Sequence, residues 1–405
     1  MYNQRKSIQR TRFNQSKRDG RFQSGGSRFA ARRGKPKAPK LDISSFINNA
    51  VALPNKMEVF VPEHSFLDFK LNPTLLHSIV QMGYTEPTPI QDKVISIVLS
   101  GKDVVGLSNT GTGKTAAFLI PLIERVSKNP NEQVLVVTPT RELALQIEQE
   151  LQRTARNMRI YSVTCVGGEY IGIQIKRLHN KNNFIIGTPG RLIDLVKRGK
   201  LNLTGVHTVV LDEADRMLDM GFIDDIRLLM TNVPKERQTL CFSATMSKRI
   251  ETLVHDFLRN PSTVSVKTTE MPENIEQDIV KISNSNKIDV LYDLLCSNEF
   301  KKVLVFGRTK HGVENLSRML TRRGIRVESI HSNKTQSQRK RALLNFKQNR
   351  VQALIATDVA ARGLHIENVT HVINYEVPET YDDYIHRIGR TGRGLQKGKA
   401  LTFID

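Results

Sequence analysis

The sequence predicts two α/β domains in tandem, each built on a parallel sheet, behind a disordered basic tail. Three observations carry that expectation. Apolar runs of strand length alternate with helix-patterned stretches, and the alternation occurs twice over. A Gly-rich loop stands between one such run and a helix-like stretch, the order a phosphate-binding loop requires. The charge is lopsided: of the formal +21, residues 1–40 supply 13 Lys/Arg against a single acid, Asp19.

Residues 1–40 are rich in Gln, Ser and Gly and contain no Leu or Val. They cannot bury enough apolar surface to offset the entropy of ordering, so disorder is expected. Three pairs, Arg12-Phe13, Arg21-Phe22 and Arg28-Phe29, can stack on unpaired bases while the charges hold phosphates. Two plainer readings are a solubilising segment and an organelle transit peptide. The second lacks leucines at amphipathic spacing and is broken by Gly and Pro. Residues 41–65 read as a linker with a short apolar cluster, Ile43 to Ile47.

The first domain, 66–262, contains strand-like runs at Val104-Leu107, Val134-Val137, Tyr161-Cys165, Phe184-Ile186, Thr208-Leu211 and Thr239-Phe242. Residues 263–272, with Thr268, Thr269 and Pro272, read as a second linker. The second domain, 273–405, contains runs at Val303-Phe306, Val327-Ile330, Ala353-Ala356, His371-Asn374 and Leu401-Ile404. The net charge points to a polyanionic partner, with a membrane surface the weaker alternative. No apolar run approaches the ~18 residues of a spanning helix, so no membrane partner is expected. Cys165, Cys241 and Cys296 are too scattered for a metal site or a disulfide framework. Each reads as a small core residue, in keeping with a reducing cytoplasm.

The loop itself is Ser108-Asn109-Thr110-Gly111-Thr112-Gly113-Lys114-Thr115. Small residues let backbone N–H groups point inward at an anion, and the following helix adds its positive end. Lys114 can reach the β- and γ-phosphates, and the Thr115 hydroxyl can bind Mg²⁺. Ser108 stands where the usual pattern has its first Gly. The bland alternative is a Gly/Thr-rich surface turn. A second motif completes the site: the run Thr208-Leu211 ends in Asp212-Glu213-Ala214-Asp215. Carboxylates at a strand's C-terminal end stand where an open α/β sheet presents its ligand. Asp212 would hold Mg²⁺ through its water shell, and Glu213 would position or deprotonate the attacking water. Read alone, the same acids could simply open a helix.

The second domain has no such loop. It carries His386 to Arg393, with Arg390 and Arg393 spaced so that one helical face or turn presents both. Their guanidinium groups suit a γ-phosphate and its transition-state charge. Read in isolation, they would be a cationic helix end.

With these motifs in order, the chain from Phe66 onward resembles the DEAD-box ATP-dependent RNA helicases of superfamily 2, as a bacterial-type minimal core with a basic N-terminal tail. Asp212 to Asp215 spell the family's name. Gly83 to Gln91 resemble its adenine-reading segment. Pro139-Thr140-Arg141-Glu142-Leu143-Ala144, Gly167-Gly168 and Thr188-Pro189-Gly190-Arg191 resemble its first-domain RNA contacts, and Ser243-Ala244-Thr245 its coupling motif. Val305-Phe306-Gly307, Gln336 to Arg339, Ala356 to Leu364 and His386 to Arg393 follow in the second half.

The resemblance implies two RecA-like domains and an ATP-hydrolysing helicase. It assigns ATP contacts to Phe66, Tyr84, Gln91, residues 108–115, Gly363 and His365. It assigns RNA contacts to Pro139, Thr140, Arg141, Gly167, Gly168, Thr188, Arg191, Gln336, Arg339, Thr357 and Asp358. Coupling falls to Asp215, Ser243, Thr245 and His386, and Arg390 and Arg393 become arginine fingers. Where the family has Asp, this chain has His365, and Ser108-Asn109 replaces its usual Ala-Gln. ATP and Mg²⁺ are the implied cofactors. RNA, without strong sequence preference, is the implied partner, with ribosomal or ribonucleoprotein particles as candidate settings and a cytoplasmic monomer as the expected form. The alternative activity is an ATP-gated RNA clamp or annealing factor without productive unwinding.

Overall fold

The computed structural model describes residues 60–109, 111–266, 275–282, 286–361, 366, 368–392 and 397–404. The tail 1–40, the cluster Ile43–Ile47, Thr110, residues 362–365 and Arg393 lie outside them. The readings made on those residues therefore have no structural counterpart here.

The first sheet contains β1 (Val104–Ser108), β2 (Val134–Val137), β3 (Ser162–Cys165), β4 (Phe184–Gly187), β5 (Thr208–Leu211), β6 (Gln238–Ser243) and β7 (Ser262–Val266). Their order is β3-β4-β2-β5-β6-β1-β7, parallel throughout. The second contains β8 (Ile275–Lys281), β9 (Val303–Phe306), β10 (Val327–Ile330), β11 (Ala353–Ala356), β12 (His371–Asn374) and β13 (Gly398–Ile404). Its order is β10-β11-β9-β12-β13-β8, again parallel.

Both strand faces are covered, and the side chains show it residue by residue. Val134 and Val136 enter one core of the first lobe, while Leu135 and Val137 enter the other. In the second lobe Val303 and Val305 pack on one side of β9, and Leu304 and Phe306 on the opposite side. The period of two splits each unbroken apolar run between two layers, as expected for a parallel sheet between helices.

Three sequence expectations need correction. The linker predicted to begin at residue 263 does not, because β7 pairs with β1 as far as Val266. Its pattern of small polar and β-branched residues suits an edge strand, not a linker. The expected linker 41–65 already docks at its end: the buried Asp92 carboxylate accepts from the backbone N–H of Glu63 (2.9 Å) and His64 (3.1 Å). Cys165 and Cys241 are buried as expected, but Cys296, at the end of helix Lys287–Cys296, is exposed.

Strand order positions the site. Leu211 pairs with Cys241 and Leu107 with Ser243, so the C-terminal ends of β5, β6 and β1 lie side by side. The acidic motif, Ser243-Ala244-Thr245 and the phosphate loop follow these three ends. The ends of β2, β4 and β3 form the neighbouring half, followed by Thr140-Arg141, Thr188 and Gly167-Gly168.

Candidate active site and RNA face

Left-handed backbone at Gly111 (φ 90°) and Gly113 (φ 93°) bends the loop from β1 into helix Lys114–Lys128. Such angles strain any side-chain-bearing residue. Lys114 is buried and its Nζ donates to the Ser108 carbonyl at 2.7 Å. Ser108 Oγ and Thr112 Oγ1 are 2.9 Å apart, and Thr115 is partly exposed beside them.

A second layer holds the loop from behind. Thr88 and Gln91 form a capping box on helix Pro89–Leu99: the Thr88 N–H donates to Gln91 Oε1 at 3.0 Å. From that box, Thr88 Oγ1 donates to the Thr112 carbonyl (2.8 Å) and Gln91 Nε2 to the Gly113 carbonyl (3.2 Å). A Cβ on Gly113 would collide with the Gln91 amide. Gln91 was expected to read adenine. In this conformation each end of its amide makes one bond to protein, and it clamps the phosphate loop, with a second N–H and a second lone pair still available. Phe66 is likewise turned inward, 4 % exposed and edge-on to Phe69 at 6.3 Å. Tyr84 points its hydroxyl at Glu150 Oε1 (3.4 Å), and burial followed by that carboxylate pushes its phenol up to about 12. The expected base platform is packed into the lobe.

Asp212 is 3 % exposed, and burial pushes its carboxyl up to about 7 despite nearby Lys114. Glu213 begins helix Ala214–Asp219 in left-handed backbone (φ 52°). Burial raises its carboxyl too, but Arg216, Arg390 and Lys114 outweigh it and hold the group below the ordinary range. Arg216 Nη1 is hydrogen-bonded to Glu213 Oε2. Asp215 Oδ2 accepts from the N–H groups of Ala244 (2.9 Å) and Thr245 (3.2 Å), which ties the acidic motif to the end of β6. Ser243 Oγ closes the turn by donating to the Thr245 carbonyl at 2.8 Å.

The second lobe completes the cleft. Lys114, Glu213, Asp215, Arg216 and Ala244 line it from one side, and His386 and Arg390 from the other. Helix Tyr381–Ile388 ends before Arg390, which sits in the following turn, buried, its Nε donating to the His386 carbonyl at 3.2 Å. Of the two settings expected for Arg390, a helical face or a turn, the structure has the turn. Thr110, Gly363, His365 and Arg393 lie outside the described residues.

The expected RNA residues also assemble from both lobes. Gly168 (φ 76°) and Gly167 leave room for the Arg141 guanidinium, which a Cβ at either position would strike. Arg191 donates to the Glu169 carbonyl (3.3 Å), Thr140 caps helix Arg141–Thr154, and Thr188 precedes helix Pro189–Lys197. Pro139 is buried at the end of β2. Across the cleft, Gln336 is buried with neither amide atom hydrogen-bonded among the described residues. Such a group calls for a polar partner. Arg339 Nη2 lies 3.0 Å from Glu142 Oε1, and Lys340 Nζ 3.1 Å from Glu169 Oε1, so two ion pairs join the lobes here. Thr357 is buried at the end of β11.

Asp358, an expected RNA residue, is paired within its own lobe. Its two oxygens are taken by Arg387, at 2.6 Å to Nε and 2.7 Å to Nη2. Arg387 also donates to Glu376 O (2.7 Å) and Asn374 Oδ1 (3.2 Å) and lies over the Phe306 ring. A bidentate pair with the remaining donors satisfied is a structural anchor. The sequence places Thr88, Glu142 and Arg387 inside motifs without an individual role for any of them, and does not single out Arg216. Only Thr88 left a legible signal, the Thr-x-x-Gln box around Pro89.

The DEAD/DEAH box helicase pattern matches residues 88–253, and the helicase conserved C-terminal domain pattern matches 286–394. The chain is 48% identical over 342 residues to the DEAD-box ATP-dependent RNA helicase CshA of Bacillus subtilis, covering 84% of this chain and 69% of that protein. It superposes on S. cerevisiae Dbp5 bound to RNA and ADP BeF3 with a TM-score of 0.77 and 32% identity, over 84% of this chain and 89% of that one. Mss116p bound to ssRNA and AMP-PNP gives a TM-score of 0.75 and 30% identity, over 84% of this chain and 73% of its own. Two parallel-sheet RecA-like domains, a split nucleotide cleft and these similarities place the chain in the family of DEAD-box ATP-dependent RNA helicases, which are ATP-hydrolysing enzymes.

Proposed function

We propose that this chain hydrolyses ATP only with its two lobes closed, and that RNA laid across the facing loops favours closure and is locally unwound by it. One observation carries this reading: residues of both lobes, Lys114 and Glu213 against His386 and Arg390, line a single cleft. Neither lobe alone holds the full set, so chemistry waits on a conformational step.

In this reading Lys114 and residues 108–113 hold the phosphates and Arg390 meets the developing charge. Glu213 is ionised, held low by three cations. So weak a base orients water through hydrogen bonds better than it removes a proton. Mg²⁺ suits the donors available: a Thr115 hydroxyl and a buried Asp212 carboxylate are hard oxygens, and burial makes Asp212 costly to ionise even beside Lys114. When bound, the ion would neutralise charge on the phosphate oxygens. Asp215, through Ala244 and Thr245, carries the state of the acidic motif to the end of β6.

Arg141, Gly168, Thr188, Arg191, Gln336, Arg339 and Thr357 would meet phosphate and sugar, because arginines and short polar groups on loops suit a backbone better than base edges. The acting species is a monomer in the cytoplasm, working on RNA free or within ribonucleoprotein particles. Cys165 and Cys241 are free and buried, and no helix among the described residues is long and apolar enough to cross a membrane. Phosphate release with and without single-stranded RNA, together with displacement of a short duplex, tests the whole reading. Hydrolysis equally fast without RNA would overturn it.

Two further results are expected. The Arg339–Glu142 pair should show in a double-mutant cycle with Gln at each position. A coupling of about 0.5–3 kcal/mol in the half-saturating RNA concentration is expected for groups in contact. Strictly additive effects would mean that the pair does not hold the lobes together. Deleting residues 1–40 should weaken RNA binding and flatten its salt dependence, since fewer counterions are released, while turnover at saturating RNA stays close to that of the full chain. A salt slope equal to that of the full chain would remove the tail from RNA binding.

A further inference from the structure

Beside the expected RNA loops stands a group that none of the assigned roles uses. Tyr170, two residues past Gly168, is 75 % exposed, against 53 % for Tyr161. It caps helix Ile171–Leu178 with no side-chain capping bond. Burial of apolar surface does not explain it, since a ring so open gains little from the lobe's core.

Its setting is specific. The ring lies against Gly172, where a Cβ would lie 2.6 Å from Tyr170 Cε1, so its position depends on the missing side chain there. The helix beneath is anchored: Gln174 is buried and its Nε2 donates to the Val166 carbonyl at 2.9 Å, fastening the helix to the end of β3. Helical spacing places Ile173, 55 % exposed, and the exposed Arg177 on the same side as Tyr170. The preceding residue, Glu169, receives Arg191 on its carbonyl and Lys340 of the other lobe on its carboxylate. The residue before the ring thus receives guanidinium and ammonium groups drawn from both lobes, at the end of the same loop that holds Arg141.

We propose that Tyr170 is a base-stacking platform for the nucleic acid strand held by the adjoining loops. The inference rests on the reading of those loops as an RNA face. Backbone contacts alone fix a strand by its phosphates. A ring at the end of the path adds a π-face that any base can use, which strengthens binding without reading sequence. The observations favour a nucleic acid over a protein partner because the patch is continuous with a cationic loop cluster and is only a ring and one aliphatic side chain wide.

The chain contains no Trp. Tyr170→Trp therefore places a single indole at the site, and Tyr161→Trp places one before the start of β3, away from the loops that follow its C-terminal end. The full chain is titrated with a labelled uridine-only single strand and a non-hydrolysable ATP analogue. Indole emission and the anisotropy of the labelled strand are followed together. Stacking should change the emission of Tyr170→Trp in step with anisotropy and leave that of Tyr161→Trp unchanged. Tyr170→Ala should weaken binding of the uridine strand about fivefold and leave that of an abasic strand of equal length unaltered. Binding by anisotropy with constant Tyr170→Trp emission overturns the proposal. So does an Ala variant that loses as much affinity for the abasic strand, or loses none for either, which would leave the patch to a protein. Absence of any RNA binding by the unsubstituted chain would instead overturn the RNA-face reading itself.

Discussion

Arg390→Ala should lower RNA-stimulated ATP turnover by about 10³–10⁵-fold, the usual consequence of removing an arginine finger. Arg390 is 5 % exposed, lines the cleft against Lys114 and Glu213, and is among the cations that hold Glu213 ionised. Two losses therefore coincide: the cation opposite the phosphate site, and part of the field that keeps the water-orienting group charged. ATP binding should survive, because Lys114, Thr115 and the loop backbone belong to the first lobe. Arg390→Lys should recover little, since a point ammonium lacks the planar fork. Single-turnover phosphate release, paired with a fluorescent-nucleotide titration, decides the matter. Turnover within tenfold of the unsubstituted chain in either variant would remove Arg390 from the chemistry.

The cleft's first-lobe half was legible in the sequence because each of its parts follows a strand. A run of β-branched and apolar residues buried on both faces has few alternatives, and Val134–Val137 and Thr208–Leu211 occur as read. Once the strands are placed, parallel order brings their C-terminal ends together, and the loops come with them. Two of the four edge strands among the described residues were harder. Ser262–Val266 and Ile275–Lys281 each have a single neighbour and carry many polar residues, so neither shows the buried-run signature.

Side-chain pairings were least legible, because sequence spacing cannot tell which partner a polar group finds. Gln91 offers a donor and an acceptor, which fit adenine and equally fit Thr88 N–H and the Gly113 carbonyl. Asp358 sits next to Thr357 in an expected RNA motif, yet Arg387, far along the chain, claims both its oxygens. The ion pairs between the lobes, Arg339–Glu142 and Lys340–Glu169, follow from the meeting of two domains that no periodicity encodes.

Glu213→Gln should stall hydrolysis while leaving the chain able to bind ATP and RNA. The carboxylate is buried among Arg216, Arg390 and Lys114, so its charge is what those cations are arranged around. Glutamine keeps the shape and one acceptor oxygen but presents an NH₂ group in place of the second, which cannot accept from Arg216. Water is then left without an oriented anionic acceptor. A loss of about 10²–10⁴-fold in the chemical step is the range for a positioned base. Asp212 is untouched, so nucleotide affinity should hold, and the blocked exit from the closed state should make RNA release slow in the presence of ATP. Glu213→Ala separates charge from packing. If the carboxylate acts on water, Gln and Ala should lose similar turnover; both unpair the buried Arg216 and lower thermal stability, and Ala lowers it further through the gap it leaves. Near-normal phosphate release by Glu213→Gln would sink the assignment and shift the water-positioning role elsewhere in the cleft.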